Sequence, residues 1–179
     1  MGEFNKGILY ASLGSFWWGV IGVLYFKFIS YVNPFEVVSH RVIWTVVSLL
    51  ITIFISGKIK ILISTFKDKK KITLLFFSGL LIFINWAVWI YAVASERIID
   101  ASFGYFIMPI ISVLLGFIFF KETLNKKRII SIVLVMISIF ILIFYNLKTL
   151  PWVGIIVALS WAFYNLVRKK IDIDTDIGL

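Results

Sequence analysis

Ionisable side chains inside an apolar stretch are the first candidates for chemistry, because hydrocarbon makes them costly to keep. One such set falls between Val32 and Ile55. Glu36, His40 and Trp44 follow at four-residue intervals and share one helix face. Arg41 lies about 100° around the helix from His40. Counted from Val32 at about 1.5 Å per residue, Arg41 sits roughly 13 Å below the outer boundary, near the midplane. A cation there costs about 2.5–3.5 kcal/mol on the insertion scale, so it must face a protein interior or a water-filled cavity. Two readings stay open. Arg41 belongs to a substrate-binding or proton-coupling cluster, or it forms an internal ion pair with Glu36. His40 is either a coupling group titrating near neutral pH or a hydrogen-bonded packing residue. Glu36 lies near the outer boundary, where solvation alone accounts for it.

Three further groups join this set. Asn85 and Trp89 share a face of the stretch Ile72–Ala94, with Trp86 beside them. Asn85 falls near the middle, so its amide must find a partner. In the next stretch Ser102, Tyr105, Pro109, Ser112 and Gly116 are spaced 3, 4, 3 and 4 apart. That small and polar stripe serves close helix packing or lines a cavity. Pro109 removes a backbone donor and can kink its helix, while Tyr105 offers a ring and a hydroxyl to a substrate. Ala11, Ser15 and Gly19, with Gly14 and Gly22, repeat the small-residue theme near the start. Among the seven tryptophans, Trp152 is placed at an interface, and Trp17, Trp18, Trp44, Trp86, Trp89 and Trp161 lie deeper. Some of these are expected to line an aromatic cavity suited to aromatic or cationic solutes. Glu122 stands among Lys121, Lys126 and Lys127, expected either in a local salt bridge or in a gate contact with another loop on the same side.

Other chemistries are excluded by what the chain lacks. It has no cysteine and a single histidine, so neither thiolate chemistry nor a multi-histidine metal site is available. The glycines Gly14, Gly19 and Gly22 precede no Lys-Ser/Thr phosphate loop. No paired carboxylates and no Ser/His/Asp set fall within the apolar stretches. No catalytic residue, cofactor or metal is therefore expected, and an intramembrane enzyme is disfavoured.

The elements that must hold these residues follow from composition. The chain has 179 residues, 61% hydrophobic and 15% charged, with mean hydropathy +1.04. A soluble domain carries about 45–50% apolar and about 25% charged residues, so a soluble single domain is excluded. Six stretches approach the roughly 20 apolar residues that cross a bilayer: Gly7–Phe28, Val32–Ile55, Ile72–Ala94, Ala101–Phe120, Ile129–Tyr145 and Leu150–Val167. They are too long for barrel strands and do not alternate strictly, and the first is too long for a cleavable signal. The expected fold is an all-α integral membrane protein with six transmembrane helices.

The net charge of +9 falls in blocks between these stretches, which points to membrane topology rather than nucleic acid. With the N-terminus in the cytoplasm, 14 of the 18 positive residues lie on the inner side; the others are Lys27, Arg41, Arg97 and Lys148. Both termini are thereby predicted to be cytoplasmic, in the cell (inner) membrane. The long connection Ser56–Lys71 carries six lysines, and Ile59, Leu62, Ile63 and Phe66 recur within it at helical spacing. A short amphipathic helix on the membrane surface is expected there, with binding to anionic lipid as a weaker reading.

A faint internal echo appears at an offset of 143 residues, where Ala11, Trp18, Gly19 and Lys27 fall on Gly154, Trp161, Ala162 and Lys170. Five spans is an odd number, so a second copy would enter the membrane inverted, as in secondary carriers. The expected division is 1–146 as a five-helix repeat and 147–179 as the first helix of an inverted second repeat. Along the sixth stretch Gly154, Ala158, Trp161 and Asn165 form a stripe fit for helix contact.

Specific runs sharpen this picture: Phe16-Trp17-Trp18-Gly19, Tyr25-Phe26-Lys27, His40-Arg41, Asn85-Trp86 and Ala101-Ser102-Phe103-Gly104-Tyr105-Phe106-Ile107-Met108-Pro109. They are followed by Ser112-Val113-Leu114-Leu115-Gly116, Lys121-Glu122-Thr123-Leu124, Leu150-Pro151-Trp152 and Leu159-Ser160-Trp161-Ala162-Phe163-Tyr164. The series resembles the RarD-type permeases of the EamA family, within the drug/metabolite transporter superfamily. The resemblance implies a ten-helix carrier of two inverted five-helix repeats that moves small metabolites or drug-like solutes by alternating access. Its implied partners are the bilayer, a small-molecule substrate, and either the remaining spans or a second chain. Ile177-Gly178-Leu179 would begin a seventh span, and the six-span chain alone is expected not to transport. The rival reading is a non-transporting membrane scaffold or inactive remnant.

Overall fold

The computed structural model describes residues 3–146 and 151–178. The expected boundary at 147, Lys148, the sixth stretch's first residue Leu150 and the terminal Leu179 lie outside the described residues. Everything described is helix or short connection, as composition requires. α1 (Glu3–Phe16) runs through a π-helical segment, Trp17–Gly22, into α2 (Val23–Phe28). Then follow α3 (Pro34–Ile55), α4 (Ile59–Lys67), α5 (Lys69–Ala94), α6 (Ile98–Phe120), α7 (Lys126–Asn146), α8 (Trp152–Lys169) and the short α9 (Thr175–Gly178).

Capping explains where these helices start. Asn33 Oδ1 accepts from the Phe35 N–H at 2.9 Å with Pro34 in the first turn, so α3 begins two residues later than its apolar run. Asp68 Oδ1 accepts from the Lys70 and Lys71 N–H groups at 3.0 and 3.1 Å, which starts α5 three residues before the run. Asn125 Oδ1 accepts from the Arg128 N–H at 2.8 Å at the head of α7. The expected surface helix within Ser56–Lys71 is α4.

Among the described residues, four helical stretches are long and apolar enough to cross a membrane: Phe4–Phe28, Pro34–Ile55, Lys69–Ala94 and Ile98–Phe120. α7 and α8 occupy the fifth and sixth expected spans. α8 has 18 residues, about 27 Å of helix. Large apolar side chains are exposed all along these rods, among them Phe16, Leu24, Phe54, Phe106 and Phe140. Water would not tolerate that surface, whereas hydrocarbon requires it.

The centre of the molecule is α8, lodged between α5 and α6, with α2 and α3 leaning on α5. The core joins Phe26 and Val38 to Trp89, Ile90, Ala92 and Val93 of α5, Ala101 of α6, and Val153 and Val157 of α8. α6 and α8 approach closest at two glycines. A Cβ on Gly104 would strike the Gly154 carbonyl, and one on Gly154 would strike the Asp100 carbonyl. Small residues buy this contact by letting backbones touch. The expected stripe on α6 is redistributed accordingly. Ala101 and Gly104 face α8, whereas Ser102 and Pro109 are exposed. On α8, Gly154 and Ala158 are buried as contact residues, Trp161 is half-buried and Asn165 is exposed.

Candidate functional site

Five elements converge on a cavity of about 470 Å³ lined by Trp18, Arg41, Ile82, Asn85, Trp86, Trp89, Tyr105, Trp161 and Tyr164. Arg41 comes from α3 and Trp18 from the π-helical segment. α5 supplies Ile82, Asn85, Trp86 and Trp89, α6 supplies Tyr105, and α8 supplies Trp161 and Tyr164. A π-helical turn widens the helix locally and is frequent at functional sites. Here it carries Trp18, the first half-buried side chain along the otherwise exposed α1 rod.

The guanidinium of Arg41 sits in an aromatic cage. Its Cζ lies 4.0 Å from the Trp86 ring centroid, 5.1 Å from Trp18 and 5.6 Å from Phe26. These rings brace one another, with Trp18 5.3 Å from Trp89 and Phe26 5.0 Å from Trp89 between centroids. No carboxylate among the described residues lies within ion-pair distance of Arg41. The Glu36–Arg41 pair left open by the sequence does not form, because Glu36 lies on an exposed part of the first turns of α3.

Asn85, only 1% exposed, finds its partners on α8. Nδ2 donates to the Val157 carbonyl at 2.9 Å and to Ser160 Oγ at 3.1 Å. Ser160 in turn donates to the Ile156 carbonyl at 2.6 Å. Both amide hydrogens are thus spent on α8, and the side-chain carbonyl is what Asn85 has left for the cavity.

The structure therefore brings Arg41, Asn85, Trp89 and Tyr105 together around this cavity and places Glu36, His40, Trp44 and Pro109 outside its lining. His40 and Trp44 line a neighbouring groove of about 700 Å³ between the first rod and α3, which Arg41 and Trp18 also border. Pro109 lines a surface groove against α7 with Asn125 and Arg128. Ser160 and Tyr164 stand in the run Leu159–Tyr164 but are not among the site residues expected from the sequence, although Tyr164 lies three residues from Trp161 and so shares its face.

A second polar cluster closes one end of the molecule. Glu122 pairs with Lys169 at the end of α8 and, at 3.6 Å, with Arg128 at the start of α7. The expected local bridge to Lys121, Lys126 or Lys127 gives way to this contact across helices, because Lys121 takes a left-handed turn at φ 53° and ends α6. The hydrogen bond from Lys169, with its charge and that of Arg128, holds the Glu122 carboxyl below its ordinary range. Nearby, Lys58 pairs with Asp174 at 2.7 Å and Asp176 at 3.0 Å, and these hydrogen bonds push its ammonium above the ordinary lysine range. Ser112 and Gly116, the lower part of the expected α6 stripe, line a recess of about 320 Å³ under Glu122.

With this geometry in place, comparison with known proteins is decisive. The model of the EamA-like transporter family matches residues 5–144. The chain belongs to the EamA-like transporter family. Among curated relatives, a protein named RarD from Salmonella typhi is 35% identical over 177 residues, covering 99% of this chain and 60% of that protein. The uncharacterized transporter YojE of Bacillus subtilis is 33% identical, covering 99% and 60%. An uncharacterized transporter of Vibrio cholerae is 36% identical, covering 99% and 58%. The chain thus spans about 60% of the length of these relatives. No solved structure matches it. The resemblance read from these runs is borne out, and the names of the family and of the relatives point to a membrane transporter rather than an enzyme.

Proposed function

We propose that this chain supplies most of the solute pathway of a carrier that exports a small metabolite or drug-like solute by alternating access. The central cavity is the solute site. The observation that carries the reading is the cavity's make-up. Arg41, near the midplane, has no carboxylate partner among the described residues, and it faces a hollow whose walls come from both α3–α6 and α8. Intramembrane charges mark substrate pathways, and carriers place their sites between repeats at that depth.

In this reading residues 1–146 form the first five-helix repeat and 147–179 open its inverted counterpart in a ten-helix carrier. The echo pair Trp18 and Trp161 supports the division, since both rings line the same cavity. Further spans, or a second chain, would cover the remaining side of α8. The carrier lies in the cell (inner) membrane with both termini cytoplasmic, a placement supported by the 14 positive residues on one side. The relatives' names favour this over a scaffold role.

Transport assays on the complete carrier test the reading. Arg41→Ala is expected to cut flux by about tenfold or more while leaving the amount inserted in the membrane unchanged. Flux equal to that of the parent would reject the cavity as the solute site.

A further inference from the structure

The deep tryptophans alone point to aromatic or cationic solutes, but the charge in the cavity argues otherwise. Resting on the cavity being the solute site, we infer that it selects an organic anion, with a carboxylate or a similar acidic group docking on Arg41 and an aromatic or apolar body lying among the tryptophans.

The argument starts from how the guanidinium is held. Trp86, Trp18 and Phe26 stabilise its charge through their ring faces. Rings accept no conventional hydrogen bond, so the five N–H donors of Arg41 are not consumed by them. No protein acceptor within hydrogen-bond distance takes them among the described residues. A planar fork of donors with no acceptor fits a carboxylate in the two-point manner that arginine favours.

The remaining lining agrees. Arg41 is the one charged residue among the nine that line the cavity. An incoming cation would meet like charge, with no lining carboxylate to offset it. Tyr105 and Tyr164 add hydroxyl donors, while the Asn85 amide hydrogens are already committed to α8. The walls are otherwise Ile82 and four tryptophans, which lower the local dielectric and strengthen any pair formed inside. A volume of about 470 Å³ lies within the range of small-molecule sites.

Three probes of one shape separate the charge effect from ring burial: 3-phenylpropionate, 3-phenylpropionamide and 3-phenylpropylammonium. Each is titrated into the purified chain and followed by tryptophan fluorescence, for which the cavity provides four reporters. The anion is expected to bind about ten- to a hundredfold more tightly than the amide, and the ammonium more weakly still. Arg41→Gln should level the anion with the amide, and Arg41→Lys should keep part of the preference. Equal binding of amide or ammonium by the unaltered chain overturns the inference and leaves the cavity reading standing. So does an anion preference that survives in Arg41→Gln. If none of the probes binds saturably, the inference and the cavity reading fall together. The comparison on the unaltered chain decides even where a substitution prevents folding.

Discussion

At the residue scale, Arg41 and Asn85 meet the same difficulty in different ways. An unpaired cation near the midplane costs about 2.5–3.5 kcal/mol. A desolvated cation–π contact returns about 2 kcal/mol, so contacts with Trp86, Trp18 and Phe26 are enough to hold Arg41 without a carboxylate. Asn85 instead spends both hydrogens on the backbone and hydroxyl of α8. Intramembrane hydrogen bonds contribute about 0.6 kcal/mol on average and at most about 1.7. Asn85→Ala should therefore lower the stability of the helical bundle by about 1–2 kcal/mol, read as a shift in the denaturant midpoint of the purified chain. A midpoint that does not move would mean that Asn85 does not anchor α8. The sequence made plain that both residues needed partners, because their cost is a property of type and depth. It did not reveal the partners. A cage assembled from the first rod, α3 and α5, and a bond from Asn85 to a residue 75 positions away, depend on packing that no local spacing encodes.

At the element scale, the helices were legible and their rotations were not. Long apolar runs announce spans whatever they touch, and α4 was readable because a surface helix must separate Ile59, Leu62 and Phe66 from its lysines. In α6 nearly every position is apolar, so lipid-facing and protein-facing sides look alike. The 3–4 spacing of Ser102, Tyr105, Pro109, Ser112 and Gly116 then divides: Tyr105 lines the cavity and Ser112 with Gly116 a recess, Ser102 and Pro109 are exposed, and Ala101 with Gly104 makes the closest contact with α8. That contact leads to a prediction with its own control. Gly104→Ala and Gly154→Ala each place a methyl group against a backbone carbonyl and should cost about 1–3 kcal/mol by overpacking. Gly79, inside α5, has nothing within 4 Å of an added Cβ. Gly79→Ala should be neutral or gain a few tenths of a kcal/mol from helix propensity. Thermal unfolding of the three variants in one detergent measures the difference. Equal melting of Gly154→Ala and Gly79→Ala would show that α6 and α8 are not in backbone contact.

At the scale of the whole molecule, helix ends sort onto two faces. On one, Lys58 after α3 meets Asp174 and Asp176, and Glu122 after α6 meets Arg128 of α7 and Lys169 of α8. On the other, Trp152 at the start of α8 lies 6.0 Å from Tyr91 near the end of α5 and 5.1 Å from the Arg97 guanidinium before α6. The turn Ser30–Asn33 lines a hollow together with Tyr91 and Trp152. Successive spans therefore run in opposite directions, as alternate crossings demand, and Trp152 with Tyr91 makes an aromatic cluster of the kind found at membrane interfaces. The face with the ion pairs also carries α4 and its flanking lysines, and under the proposed topology it is the one that faces the cytoplasm. The chain contains no cysteine, which makes the assignment directly measurable. Single cysteines at Lys67 and Asn125 should be protected from a membrane-impermeant thiol reagent added outside intact cells and should react once the membrane is opened. Cysteines at Tyr31 and Glu96, both exposed in the turns of the opposite face, should react at once. Labelling of Lys67→Cys from outside would invert the molecule, and with it the side from which solute enters the cavity. Labelling of Asn125→Cys and Glu96→Cys from the same side would break the alternation itself, because α6 would then fail to cross.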